Sequence, residues 1–80
     1  MNVIHHQDLE TARQMLADII DQPPLSIPLD ADVFNFPAWD SLVHVRILLA
    51  IEAKTGRLLD SDLISNLKSL QDVAEALNHH

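Results

Sequence analysis

Cysteine is absent from the 80 residues, which excludes a disulfide framework and a thiolate nucleophile or metal ligand, and permits a cytoplasmic setting. Glycine occurs once, at Gly56, so there is no Gly-rich elbow to raise a catalytic serine. No apolar run approaches the length of a membrane span. The opening "MNVIHHQDLE" lacks the basic then apolar signature of a secretion signal, and the expectation is a cytoplasmic chain. Basic residues are few: five Lys and Arg stand against twelve Asp and Glu, a formal charge of -7. Such a balance repels phosphate backbones, argues against nucleic acid, and makes a partner with a basic face the natural complement. Length sets the last limit, because a chain this short buries only about 60% of its surface and has little room for a deep pocket.

What remains is apolar and helical. Hydrophobic residues make up 48% of the chain and charged residues 21%, which places it among globular rather than disordered sequences. The expected organisation is a single domain over residues 1–80 with its core at about 9–77, and four helices without strands. In "DLETARQMLADII", Leu9, Ala12, Leu16, Ile19 and Ile20 recur at helical spacing, with Asp8 as the expected N-cap. "DQPPLSIPLDADVFNFPAW" then carries all four prolines, which breaks any helix and predicts a long ordered loop. Ser41 to Thr55 reads as the second helix, capped by Asp40 and stopped by Gly56. "DSDLISN" is a short helix or turn at most. In the last helix, Ser69 and Asp72 resemble a capping box ahead of the apolar face Leu70, Val73, Ala74 and Leu77.

The second helix is apolar nearly all the way round. Leu42, Val45 and Leu49 form one stripe, and Ile47, Leu48 and Ile51 another with Val43 beside it. One stripe serves the core; the other is covered by the loop or the third helix, or faces a partner. Phe34, Phe36 and Trp39, the only aromatics, cluster just ahead of Ser41 and are expected to pin the loop into the core, with Trp39 also placed to shield or orient whatever Ser41 carries.

Asp40-Ser41-Leu42 at the head of the second helix, the Pro-containing loop before it, the Gly-terminated helix, the short third element and the closing "LQDVAEAL" together resemble the acyl carrier proteins over residues 9 to 77. The fold this implies is all-α, a four-helix bundle of acyl-carrier-protein type with a long first loop and a short third helix. The function it implies is that of a carrier rather than an enzyme. Ser41 matches the serine that takes 4'-phosphopantetheine, whose thiol holds acyl or aminoacyl groups as thioesters. Asp40 and Leu42 complete the motif read by a phosphopantetheinyl transferase. Leu42, Val45 and Leu49, with Arg46 and Trp39 beside them, match the partner-facing surface. The implied partners are that transferase, an acyl- or aminoacyl-activating ligase and downstream acyl-transfer enzymes, with the protein a monomer and neither nucleic acid nor membrane involved. Independent physics agrees about the site. A serine in the first turn of a helix lies among unpaired N–H groups at the positive end of the dipole, which suits a phosphodiester.

Rival readings exist. Asp40 as a plain N-cap accounts for the Asp-Ser pair when it is taken alone. Ser61 also follows an acid, yet Asp62 adds a second negative charge beside it, and it is expected to be a cap. Asp40, Ser41 and His44 suggest a nucleophile with a base, but no oxyanion donors or water-excluding walls accompany them. His44 is expected at the surface near the prosthetic arm. His5-His6 and His79-His80 are adjacent pairs, poor as metal ligands, and no metal site is expected. A helical adaptor docking through Leu42, Val45 and Leu49 without a prosthetic group is the alternative from another class. Val43 and Arg46 stand where fatty-acid carriers usually have acids, and His44, Arg46 and Lys54 face only Glu52. That departure favours a carrier with dedicated activating enzymes in specialised biosynthesis.

Overall fold

The computed structural model describes residues 6–78, with side chains from Gln7 onward. Four helices follow in order: α1 His6–Ile20, α2 Ser41–Thr55, α3 Ser61–Asn66 and α4 Leu70–Asn78. No strand forms among the described residues. The first and last helices make the most extensive pairing and α2 lies across both, so α1, α2 and α4 enclose the core while short α3 rides at its edge.

Each helix boundary has a local cause. Asp40 caps α2 by accepting the Val43 N–H on Oδ1 at 3.0 Å, and Gly56 ends it at φ 72, in the left-handed region where the missing Cβ removes the usual penalty. The Gly56 N–H returns to the Glu52 carbonyl at 2.9 Å, as the expected C-terminal stop requires. In α4 the capping box is shifted by one residue. Ser69 Oγ accepts the Asp72 N–H at 3.1 Å, and the Asp72 carboxylate reaches past Ser69 to accept the Lys68 N–H at 2.8 Å. Two expected caps are corrected. Asp8 sits inside the first turn of α1, because the helix has already begun at His6. Ser61 is the first residue of α3, and Asp60 is the cap, its Oδ1 accepting the Leu63 N–H at 2.7 Å.

The core is purely apolar among the described residues: Ala12, Leu16 and Ala17 from α1, Ile47 and Ile51 from α2, and Leu70, Val73, Ala74, Ala76 and Leu77 from α4. Ile27, Ala31, Trp39 and Leu67 enter it from the connections. Leu48 and Val43 pack partly against it, so the expected inner stripe of α2 does face inward. Burial of a large aliphatic side chain contributes about 1.5–3 kcal/mol, and among the described residues eight such groups are buried: Leu16, Ile27, Ile47, Ile51, Leu67, Leu70, Val73 and Leu77.

The loop at 21–40 is ordered by its own polar groups. A single 3-10 turn at Pro24–Ser26 uses proline at its first position, where no N–H is needed. Asp32 Oδ1 accepts the N–H groups of Phe34 and Asn35, both at 2.7 Å, and Asn35 Oδ1 accepts the Asp32 N–H at 2.8 Å. This Asx turn throws Phe34 outward, 82% exposed, while Phe36 and Trp39 turn in. Pinning the loop therefore falls to Phe36 and Trp39 and not to Phe34. Two backbone bonds then fasten the loop to the start of α4: Val33 N–H to the Lys68 carbonyl at 2.9 Å, and Leu70 N–H to the Ala31 carbonyl at 3.1 Å. An antiparallel bridge between Asp32 and Ser69 results.

Candidate functional site

Ser41 is the first helical residue of α2, exposed, and its hydroxyl enters no hydrogen bond among the described residues. The cap carboxylate of Asp40 is engaged by Val43 N–H, and the Asp40 carbonyl accepts the His44 N–H at 2.9 Å. The N–H groups of the first turn of α2 gather at this end, where the helix dipole is positive. An open cavity of about 580 Å³ begins at Ser41. Its polar rim is Asp40, Ser41, His44, Ser65 and Lys68; its apolar walls come from Val33, Trp39, Val45, Ile64 and Leu67. The loop-to-α4 bridge places Val33 and Lys68 on the wall opposite α2, so a contact between distant parts of the sequence builds the cavity.

Trp39 closes the floor. Its ring is 3% exposed, and its Nε1–H donates to His44 Nδ1 at 3.3 Å, with ring centroids 6.4 Å apart. The expected place of Trp39 among partner-facing residues is thereby corrected, since a buried indole presents no surface to a docking protein. The expected shielding role suits its position better. His44 is half-buried rather than a free surface residue. Leu42, Val45 and Leu49 are 60%, 51% and 59% exposed, which leaves the outer stripe of α2 uncovered by loop or third helix. Arg46 is exposed within it, and Leu58 and Ile64 extend the apolar surface toward α3. Glu52, the one acid of α2, accepts the Leu59 N–H on Oε2 at 3.1 Å and serves the α2–α3 connection. The outer face of this helix is therefore apolar with a positive charge, although the molecule is acidic overall.

A nucleophile with a base is not assembled here. Asp40 is occupied as a cap, His44 Nδ1 accepts from Trp39, and neither engages Ser41. Ser61 repeats the local register of Ser41, one residue after its capping aspartate, but α3 has only six residues to build a dipole and Asp62 follows at once. No cluster of three or more potential metal ligands occurs among the described residues. His5 and the His79-His80 pair lie outside the described residues, as does the His6 side chain. No helix among the described residues is long and apolar enough to cross a membrane.

A small helical scaffold that offers an unbonded hydroxyl at the start of its long second helix, beside an open cavity and an apolar docking stripe, has the features of a carrier that lends its cargo to other proteins. A family model described as phosphopantetheine attachment site matches residues 10–77, and the chain belongs to that family, the carrier proteins of acyl-carrier type. No curated protein and no solved structure gives a match. The prosthetic group of the family is 4'-phosphopantetheine, so the chain is a carrier and not a catalyst, and it works with a phosphopantetheinyl transferase and with biosynthetic enzymes. This decides against an adaptor that lacks a prosthetic group. The residues present fit the group: an accessible hydroxyl to esterify, first-turn N–H groups to meet the phosphate, and an open cavity alongside. When bound, the group supplies the thiol that a chain without cysteine does not have.

Proposed function

We propose that Ser41 is the residue that takes 4'-phosphopantetheine, with Asp40 and Leu42 read by the transferase, and that the loaded arm passes acyl or aminoacyl groups between enzymes of a specialised biosynthetic route. One observation carries the choice of Ser41: its hydroxyl is exposed and unbonded at the start of the fifteen-residue helix α2 and opens onto the cavity. Ser61, also exposed and unbonded, stands at the head of a far shorter helix next to Asp62, and it does not line that cavity although Ile64 and Ser65 of the same helix do. The preference for dedicated partners rests on charge. With Arg46 exposed and Glu52 engaged by the Leu59 N–H, the stripe of Leu42, Val45 and Leu49 suits an apolar docking face that carries an acid, unlike the basic face that an acidic recognition helix calls for. An acyl- or aminoacyl-activating ligase and later acyl-transfer enzymes are the proposed partners. We further propose one domain over residues 1–80, monomeric, working in the cytoplasm, where a chain without cysteine loses nothing.

The test is intact-protein mass after incubation with coenzyme A, magnesium and a broad-specificity transferase. The wild type and Ser61→Ala gain the phosphopantetheine mass and Ser41→Ala does not. Label retained by Ser41→Ala and lost from Ser61→Ala would overturn the assignment.

A further inference from the structure

The Trp39–His44 pair fixes more than packing. A neutral imidazole carries one N–H, and a ring whose Nδ1 accepts from Trp39 Nε1–H at 3.3 Å holds its own proton on Nε2. The outer edge of His44 is then a hydrogen-bond donor. Trp39 is held firmly enough to impose this. Its ring is buried, and its backbone N–H donates to the Phe36 carbonyl at 2.9 Å within a loop fastened to α4. His44 lies three residues beyond Ser41, one turn along the same face of α2, and both border the same cavity. The other charged side chains on that rim are Asp40, engaged as the cap, and Lys68, in no ion pair among the described residues. A donor one turn from an esterified hydroxyl has an evident acceptor in the phosphate oxygens.

We propose that His44 is a positioning residue for the prosthetic group: its Nε2–H donates to the phosphodiester on Ser41, and Trp39 sets the tautomer that makes this possible. So held, the group would start from Ser41 beside the cavity that Ser41 and His44 both line. This deepens the reading of Ser41 as the attachment residue and rests on it.

Two amide substitutions separate this role from simple satisfaction of a buried indole N–H. The shorter His44→Asn offers its carbonyl near the position of Nδ1 and can accept from Trp39, but does not reach as far as Nε2. The longer His44→Gln places its NH₂ near Nε2. The experiment loads wild type, His44→Asn, His44→Gln, His44→Ala and Trp39→Phe, verifies one phosphopantetheine each by mass, and records the 31P resonance against urea-unfolded loaded protein. The 15N spectrum of His44 is recorded with the ring neutral. The expected result is the Nε2–H tautomer in the wild type and a 31P shift displaced from the unfolded value. His44→Gln keeps part of that displacement, His44→Asn and His44→Ala lose it, and Trp39→Phe mixes the tautomers and reduces it. A 31P shift equal in all folded variants, retention by Asn but not by Gln, or an Nδ1–H tautomer in the wild type overturns the proposal while leaving the attachment residue untouched. Failure of wild type to gain mass at Ser41 overturns both.

Discussion

Replacing Asp40 removes two separable contributions, and the structure predicts the size of each. Its Oδ1 accepts the Val43 N–H at 3.0 Å, and loss of such a cap costs about 1 kcal/mol. Its charge at the positive end of α2 adds about 0.5 kcal/mol at low salt, reduced because one acid fewer also eases the repulsion within a chain of formal charge -7. For 80 residues the unfolding entropy is about 0.17 kcal/mol/K, so 1 kcal/mol corresponds to a Tm shift of about 6 °C. Asp40→Asn keeps the acceptor and forgoes the charge; Asp40→Ala loses both. By differential scanning calorimetry at low salt, Asn is expected to melt about 3 °C below wild type and Ala about 6–9 °C below. At about 1 M salt the Debye length falls to about 3 Å, so the Asn deficit closes while about 6 °C of the Ala deficit persists. Equal deficits for Asn and Ala at high salt would refute the cap, and an Asn deficit indifferent to salt would refute the charge term. The same two proteins test recognition. If the transferase reads the Asp40 charge, Asp40→Asn folds well yet loads more slowly than wild type.

Ser41→Ala is expected to stay within about 0.5 kcal/mol of wild type in urea unfolding, because the hydroxyl is exposed and unbonded, so that the loss of loading proposed for this variant would be chemical and not a folding defect. Ile51→Ala, at a fully buried position between α2 and its neighbours, lowers stability by about 2–5 kcal/mol in the same assay; a loss under about 1 kcal/mol would place Ile51 outside the core. Gly56→Ala costs about 1 kcal/mol from backbone strain alone, since φ is 72 and no atom lies within 4 Å of an added Cβ. A loss of several kcal/mol would point to a clash that the geometry does not contain. Arg46→Glu is expected to slow acyl loading by the proposed activating ligase, with a deficit that shrinks as salt is raised from about 20 to about 300 mM; a rate unchanged at both concentrations would remove Arg46 from the proposed interface.

The readings that succeeded from sequence were local. Asp40 caps a residue three positions on, Gly56 closes onto a carbonyl four back, and the inward faces of α2 and α4 recur at helical spacing, so a window of a few residues contains all the physics involved. The motif around Ser41 is local in the same sense. Sequence reading slipped by one residue at Ser61, where two neighbouring polar residues competed for one cap and the backbone path decided for Asp60, and by more at Asp8, which the helix already includes because it is helical from His6. The aromatics separate the two kinds of knowledge most sharply. Their composition near Ser41 announced an anchor, but nothing in the sequence said that the Asp32 turn ejects Phe34 while Trp39 goes under the helix start to meet His44.

The sequence by itself determined the four helices, the cap and stop of α2, its apolar stripe and the place of the Asp40-Ser41 pair at the head of that helix, because each depends on neighbours within one or two turns. The tertiary structure alone decided the cavity beside that serine, the engagement of Glu52 with the Leu59 N–H, and the orientation of His44. The cavity exists because Val33 and Lys68, far apart in the chain, share a backbone hydrogen bond, and no local pattern encodes a contact of that span.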